Sequence, residues 1–475
     1  RVIAALGGES LTKFRTERDS MGEMQVPENA YYGASTARAL ENFPLSPRRF
    51  PRGFVRALGL IKLAAARVNR QLGLLEVNIA DAIEAAALEV ADGKLDADFV
   101  VDVFQTGSGT STNMNANEVI ASRALEILGA HRGERQRIHP NDHVNLGQST
   151  NDAFPTAMHM AAMEAIEKKV LPALRELAEA LQSKADEFKD VVKSARTHLQ
   201  DAVPMTLGQE FSGYASVVRH GLVRLEGTRA DLSELAIGGT AVGTGLNTHR
   251  EFAPRMIAEL RRLTGLLFRR AENPFEAMQN RDAAVAVSSA VRGLAVGLMK
   301  IANDLRLLAS GPRTGLNEIE LPATQPGSSI MPGKVNPVVP EAINMVAAQL
   351  IGNDSAIAIA AMNGNLDLNV MMPLIAYDLL ESLDLLANAA RVFASKCIIG
   401  IRANEDVCRS YAEASVSLVT ALAPIVGYDQ AAAICKTAIT ENKPIRQALL
   451  ESGLVTRETI AEILNLEKLA GIEKG

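Results

Sequence analysis

Residues 338–361, Val338-Val339-Pro340-Glu341-Ala342-Ile343-Asn344-Met345-Val346-Ala347-Ala348-Gln349-Leu350-Ile351-Gly352-Asn353-Asp354-Ser355-Ala356-Ile357-Ala358-Ile359-Ala360-Ala361, carry only Glu341 and Asp354 as charges. A helix that is apolar on every face must be buried. Small residues such as Ala342, Ala347, Ala356 and Ala360 let neighbouring helices approach closely. The same character recurs from Ala283 to Val291, which has no charge, and a third long helix is expected from Leu374 to Ala394, just after Pro373. One chain is not expected to bury all of these faces. A helical bundle that continues across subunits is therefore predicted.

Working outward, Leu174, Leu177, Leu181, Ala185 and Phe188 recur at three-and-four spacing, opposite Glu176, Glu179, Lys184 and Glu187. That pattern predicts an amphipathic helix, with Pro172 near its first turn. Before about residue 150 the chain is punctuated by turn signals, among them Gly7-Gly8, Pro27, Gly33, Pro44 and Gly93. From about Gly400 the composition shifts to a shorter, more polar tail. Three parts are expected: 1–149, mixed but mostly helical; 150–403, the bundle; and 404–475, a small helical end.

The 475 residues are 47% hydrophobic and 22% charged, the balance of a folded globular protein rather than a disordered one. A net charge of -6 leaves no basic footprint for nucleic acid or an anionic membrane surface. Aromatics are 4% and Trp is absent, so base-stacking platforms are poorly supplied. Cys397, Cys408 and Cys435 form no Cys-x-x-Cys, which points away from a disulfide framework and toward a reducing cytosol. No run of 18 apolar residues escapes a charge or turn signal, so a soluble protein is expected. Because the sequence starts at Arg1 rather than Met, Arg1 to Lys13 is expected to be a processed or added segment.

Four stretches could carry chemistry. Gly327-Ser328-Ser329-Ile330-Met331-Pro332-Gly333-Lys334-Val335-Asn336-Pro337 joins small residues, a lysine and an asparagine directly before the apolar helix. Free backbone N–H groups at such a junction, with the charge of Lys334, make an anion site. A P-loop is excluded: five residues separate Gly327 from Gly333, and Val335 stands where a magnesium-binding hydroxyl belongs. A flexible surface loop is the plainer alternative.

Thr106 to Glu118, with Gly107, Ser108, Gly109, Thr110 and Asn113, is dense in hydroxyls and amides that can grip a carboxylate without charge. A structural turn with an N-capping hydroxyl is the other reading. Gln148-Ser149-Thr150-Asn151-Asp152 offers the same groups and can cap a helix at the same time. Arg196-Thr197-His198-Leu199-Gln200-Asp201 places His198 in a connection rather than on an apolar stripe, where it can exchange a proton. His139-Pro140-Asn141-Asp142-His143 has too few ligands and the wrong spacing for a metal, and reads as a turn or a secondary anion contact. His131, His159, His220 and His249 read as structural or surface residues.

Together these motifs resemble the aspartase/fumarase superfamily, as do Asp19-Ser20-Met21-Gly22, Gly238 to Gly245 and Leu368-Asn369-Val370. The likeness covers nearly the whole chain. It implies a mainly α, three-domain fold whose central helices build a twenty-helix homotetramer core, with each active site shared between three subunits. It also implies a reversible anti elimination on a four-carbon dicarboxylate through a carbanion, with no cofactor and no metal.

By the same resemblance Ser328 is the carbon base, and His198, oriented by Glu341, handles the leaving or attacking water. Ser108, Gly109, Thr110, Ser149, Thr150, Asn151, Thr197, Ser329, Lys334, Val335 and Asn336 match substrate-binding positions. His139, Pro140, Asn141 and Asp142 match a second, noncatalytic dicarboxylate site.

Within the superfamily, water rather than ammonia is the expected leaving group. Thr106-Gly107-Ser108-Gly109-Thr110, Gly238-Gly239-Thr240 and His139-Pro140-Asn141-Asp142 resemble class II fumarases. Against this, Thr150 replaces a serine common in fumarases, and Val338-Val339-Pro340 and the region from Asn404 to Tyr411 look more like aspartases, so aspartate ammonia-lyase is the alternative. A structural protein that keeps a lyase fold without catalysis, as some lens crystallins do, is opposed by the joint presence of Ser328, Lys334, Asn336, His198 and Glu341.

Overall fold

The computed structural model describes residues 13–472; the Gly7-Gly8 turn and residues 1–12 of the expected processed segment lie outside the described residues. Among the described residues helices dominate, and strands are confined to four two-stranded pieces. The predicted long helices span Asp282–Leu308, Val338–Met362 and Met372–Lys396. Pro373 sits in the first turn of the last of these, where its missing N–H removes no helical bond.

Pro172 sits in the first turn of the helix Leu171–Glu187, as expected from the sequence.

The chain divides into two compact units, each discontinuous in sequence: residues 1–170, 224–292 and 350–385, and residues 171–223, 293–349 and 386–475. In the first, Arg52–Gln71, Val77–Ala91 and Thr110–Ile127 pack around Leu63, Ile83, Val90, Val119, Ile120 and Leu125. Gly59 permits this contact, since a Cβ there would lie 2.8 Å from the backbone nitrogen of Ala91. In the second, Val192 joins Leu422, Ile434, Ile445, Leu449 and Ile460 in a core built largely from residues 412–470.

Asp282–Leu308 and Val338–Met362 are long and apolar enough to cross a membrane by length and composition, although neither is free of charge. Only half and a third of their most apolar windows are buried within one chain. Met345 and Met362 are 69% and 74% exposed, so the broad apolar faces read from the sequence are left largely open by a single copy.

Candidate active site

The stretch from Thr106 folds as a tight turn into the helix Thr110–Ile127. The helix cap is Gly109, at φ +84 with no side-chain bond, so the turn is not the hydroxyl-capped one that was the alternative reading. A Cβ at Gly109 would strike the Phe154 ring at 2.2 Å, so the residue must be glycine on two counts. The turn leaves Ser108 and Thr110 side by side, with hydroxyl oxygens 2.9 Å apart. Glu118 serves elsewhere: its carboxylate accepts from the backbone of Gly33, Ser35 and Thr36 at the start of the helix Ala34–Asn42.

The stretch Gln148 to Asp152 forms a capping box. Ser149 Oγ accepts from Asn151 N at 3.2 Å, and Asp152 Oδ1 accepts from Ser149 N at 2.9 Å. Asp152 does more: its Oδ2 accepts from Gly238 N and Thr240 N, both at 2.9 Å, while Asn151 Nδ2 donates to Ala241 O at 2.8 Å. Thr240 is held at φ +56 by this grip. Burial pushes the Asp152 carboxyl up to about 6, opposed by these backbone donors and by the charge of Lys62.

Sequence reasoning missed Lys62. It is fully buried and donates to Asn113 Oδ1, Asn145 Oδ1 and Gln148 Oε1 at 2.8, 2.9 and 3.0 Å. Its signal was present, for it is the only charge between Arg56 and Arg67 in an otherwise apolar helix. Burial pushes its ammonium down to about 7, and nearby Asp152 opposes the fall. Ser108, Gly109, Thr110, Ser149, Thr150 and Asn151 thus belong to one unit, with a buried polar network beneath them.

Thr197, His198, Ser328, Ser329, Lys334, Val335, Asn336 and Glu341 all belong to the other unit. The strands Val192–Thr197 and Gln200–Thr206 form an antiparallel hairpin in which Thr197 pairs with Gln200. His198 and Leu199 are its two-residue loop, both at positive φ, 56 and 59, as a mirror-type turn requires. Histidine is among the residues that tolerate that conformation, whereas Leu199 does not suit it, so the tip is strained at Leu199. Buried charges hold its base: Glu318 Oε1 accepts from Arg196 Nη1 at 2.9 Å, and Glu318 Oε2 lies 3.1 Å from Lys193 Nζ. Lys193 also pairs with Glu210 at 2.6 Å.

The loop at 327–337 is closed by its own backbone. Gly327 N donates to Lys334 O at 3.0 Å, and Asn336 Nδ2 donates to Gly327 O at 2.5 Å. A Cβ at Gly327 would meet Lys334 O at 2.3 Å, which fixes glycine there. Ser328 Oγ accepts from Ile330 N at 3.2 Å and Met331 N at 2.9 Å. Ser329, Lys334 and Val335 are exposed, and the loop leads into Val338–Met362 with Glu341 in its first turn. Among the described residues of one chain, no hydrogen bond or ion pair joins His198 to Glu341 or to Ser328.

The His139 to Asp142 motif is a wide helical turn over Pro140–Val144. His139 Nδ1 accepts from Asn141 N and Asp142 N at 3.2 and 3.3 Å, so the ring proton sits on Nε2. His139, Asp142 and His143 line a cleft of about 540 Å³ with Glu17, Arg18 and Arg135. Among the described residues no three His, Cys, Asp or Glu side chains gather in a metal-holding group.

Known proteins share this architecture. The family described as lyase matches residues 22–352, and the one described as fumarase C C-terminus matches residues 418–471. The chain is 55% identical over 454 residues to the class II fumarate hydratase of Halobacterium salinarum, covering 96% of each. It is 53% identical to the class II fumarate hydratase of Corynebacterium glutamicum, covering 95% of this chain and 94% of the relative. A class II fumarase from Schistosoma mansoni superimposes with a TM-score of 0.94 at 42% identity, over 96% of this chain and 99% of that one. A fumarate lyase:delta crystallin from Brucella melitensis, bound to cobalt, gives 0.93 at 48% identity, over 96% and 100%. The mainly α fold expected from the sequence is the fumarase fold, and the chain belongs to the class II fumarate hydratase family of lyases.

Proposed function

We propose that this chain is a fumarate hydratase, adding water reversibly and stereospecifically to fumarate to give (S)-malate in the tricarboxylic acid cycle. The observation that carries the mechanism is the pair of backbone N–H groups aimed at Ser328 Oγ. A free serine is a poor base, because its alkoxide is unstable in water. Two amide donors and the charge of Lys334 on the same loop stabilise that alkoxide.

In the dehydration direction Ser328 takes the proton from the carbon beside an ionised carboxylate, and the electron pair spreads into that carboxylate. The doubly charged group is held by Lys334 and Asn336, with Val335 and Ser329 beside it. Preorganised donors of this kind are worth roughly 10² to 10³ in rate apiece. His198, oriented by Glu341, gives a proton to the departing hydroxyl, a role worth about 10² to 10⁴. Ser108, Gly109, Thr110, Ser149, Thr150, Asn151 and Thr197 hold the substrate carboxylates, and no cofactor enters these steps.

The assembly is a homotetramer whose twenty-helix core covers the apolar faces of Asp282–Leu308 and Val338–Met362, with each site drawn from three subunits. Supporting this, the proposed groups fall in separate parts of the chain, and His198 has no Glu341 contact within one copy among the described residues. The three-part division near residues 149 and 403 is supported by the separate cores around Ile83 and Ile445. His139, Pro140, Asn141 and Asp142 form a second dicarboxylate contact, with His139 Nε2–H as donor. A cytoplasmic location suits the three unpaired cysteines.

The test is Ser328→Ala, assayed by loss of fumarate absorbance with the oligomer checked by size exclusion. Hydration should vanish from an intact tetramer; full activity would overturn the base assignment.

A further inference from the structure

The buried ammonium of Lys62 takes part in no step above, yet it sets the direction of a chain of hydrogen bonds. Its three N–H groups meet three amide oxygens, those of Asn113, Asn145 and Gln148. An ammonium only donates, so each of these amides must turn its oxygen inward and its nitrogen away. The far ends agree. Gln148 Nε2 donates to Val144 O and Leu146 O at 3.2 and 3.3 Å, and Asn145 Nδ2 donates to Gln148 O at 3.2 Å. Backbone carbonyls only accept, so both amides are fixed from both sides.

Asn113 is the third. With Oδ1 on Lys62, its Nδ2 donates to Asn145 Oδ1 at 3.2 Å and to Thr150 Oγ1 at 3.0 Å. Thr150 Oγ1 is therefore an acceptor on its buried side. Its own proton points elsewhere, and no acceptor for it is found among the described residues.

We propose that Lys62 and Asn113 are positioning residues that fix the Thr150 hydroxyl as a hydrogen-bond donor toward the substrate carboxylate. This rests on the reading that Thr150 lines the substrate site. A carboxylate only accepts, so a hydroxyl that gave its proton to residue 113 would present lone pairs to an anion. The relay prevents that reversal. It also gives the buried cation a purpose besides stability, since Lys62 could be replaced by an apolar side chain if the space only needed filling.

Asn113→Asp separates the two roles. It is nearly isosteric and gives Lys62 a carboxylate partner, yet it replaces the donor facing Thr150 with an oxygen. Steady-state fumarate hydration by the full oligomer should show KM raised at least about tenfold, kcat changed less, and a thermal midpoint no lower than the parent. Thr150→Val should raise KM similarly, and Asn113→Asp added to it should have little further effect.

If Thr150→Val leaves KM unchanged, the placement of Thr150 against substrate fails. If Thr150→Val raises KM but Asn113→Asp does not, or if the two effects multiply, the relay fails. Should Asn113→Asp not assemble, the same cycle with Lys62→Met decides; failure of both variants to form the oligomer assigns these residues a structural role only and overturns the proposal.

Discussion

Arg196 donates to Glu318 at 2.9 Å, and the carboxylate it meets has no exposed surface. Arg196 lies two residues before His198, one strand pair from the turn that presents it. Glu318 also faces Lys193, and its backbone oxygen accepts from Asn404 N at 2.9 Å. Removing one partner from a buried ion cluster leaves charge uncompensated, a cost of about 3–5 kcal/mol. Glu318→Ala should lower the unfolding free energy by that order and reduce kcat by loosening His198. An unfolding free energy within about 1 kcal/mol of the parent would show that the cluster contributes little.

Leu199 stands at φ 59 in the second position of the two-residue hairpin loop, with its side chain 70% exposed. A non-glycine residue in that region costs about 1–2 kcal/mol. Leu199→Gly should therefore raise hairpin stability by about 1 kcal/mol, read as an upward shift in thermal midpoint. An unchanged or lower midpoint would mean that the exposed leucine packs against another subunit.

His159 gives a pH signature. Its Nδ1 lies 2.8 Å from Glu234 O, which only accepts, so the ring proton sits on Nδ1. Burial and then the nearby Arg281 hold the ring down to about 4, below the ordinary 6.5. Below pH 6.5 the unfolded chain takes a proton that the folded one refuses until about pH 4. The stability from burying the neutral ring is thus full above pH 6.5 and declines as pH falls toward 4. His159→Asn should lose less thermal stability than the parent between pH 7 and pH 5; parallel curves would contradict the assignment.

The long helices and the four site motifs were legible in the sequence because apolar helices and small-residue loops each carry a local signal. Val338–Met362 differs from its expected end by a single residue. What was not legible lies in partnerships across distance. Glu118 looked like part of a substrate loop and instead caps the helix Ala34–Asn42. Asp152 was visible as a helix-capping residue, but its grip on Gly238 and Thr240 could not be read from spacing. Lys62 sits far from every motif in sequence, and Glu318 is 122 residues from its partner Arg196.

This chain is expected to add water, not ammonia, to fumarate. The decisive measurement is proton NMR of purified protein given fumarate with ammonium and without added metal. (S)-Malate should be the product at every ammonium concentration; formation of aspartate, or no product at all, would refute water addition.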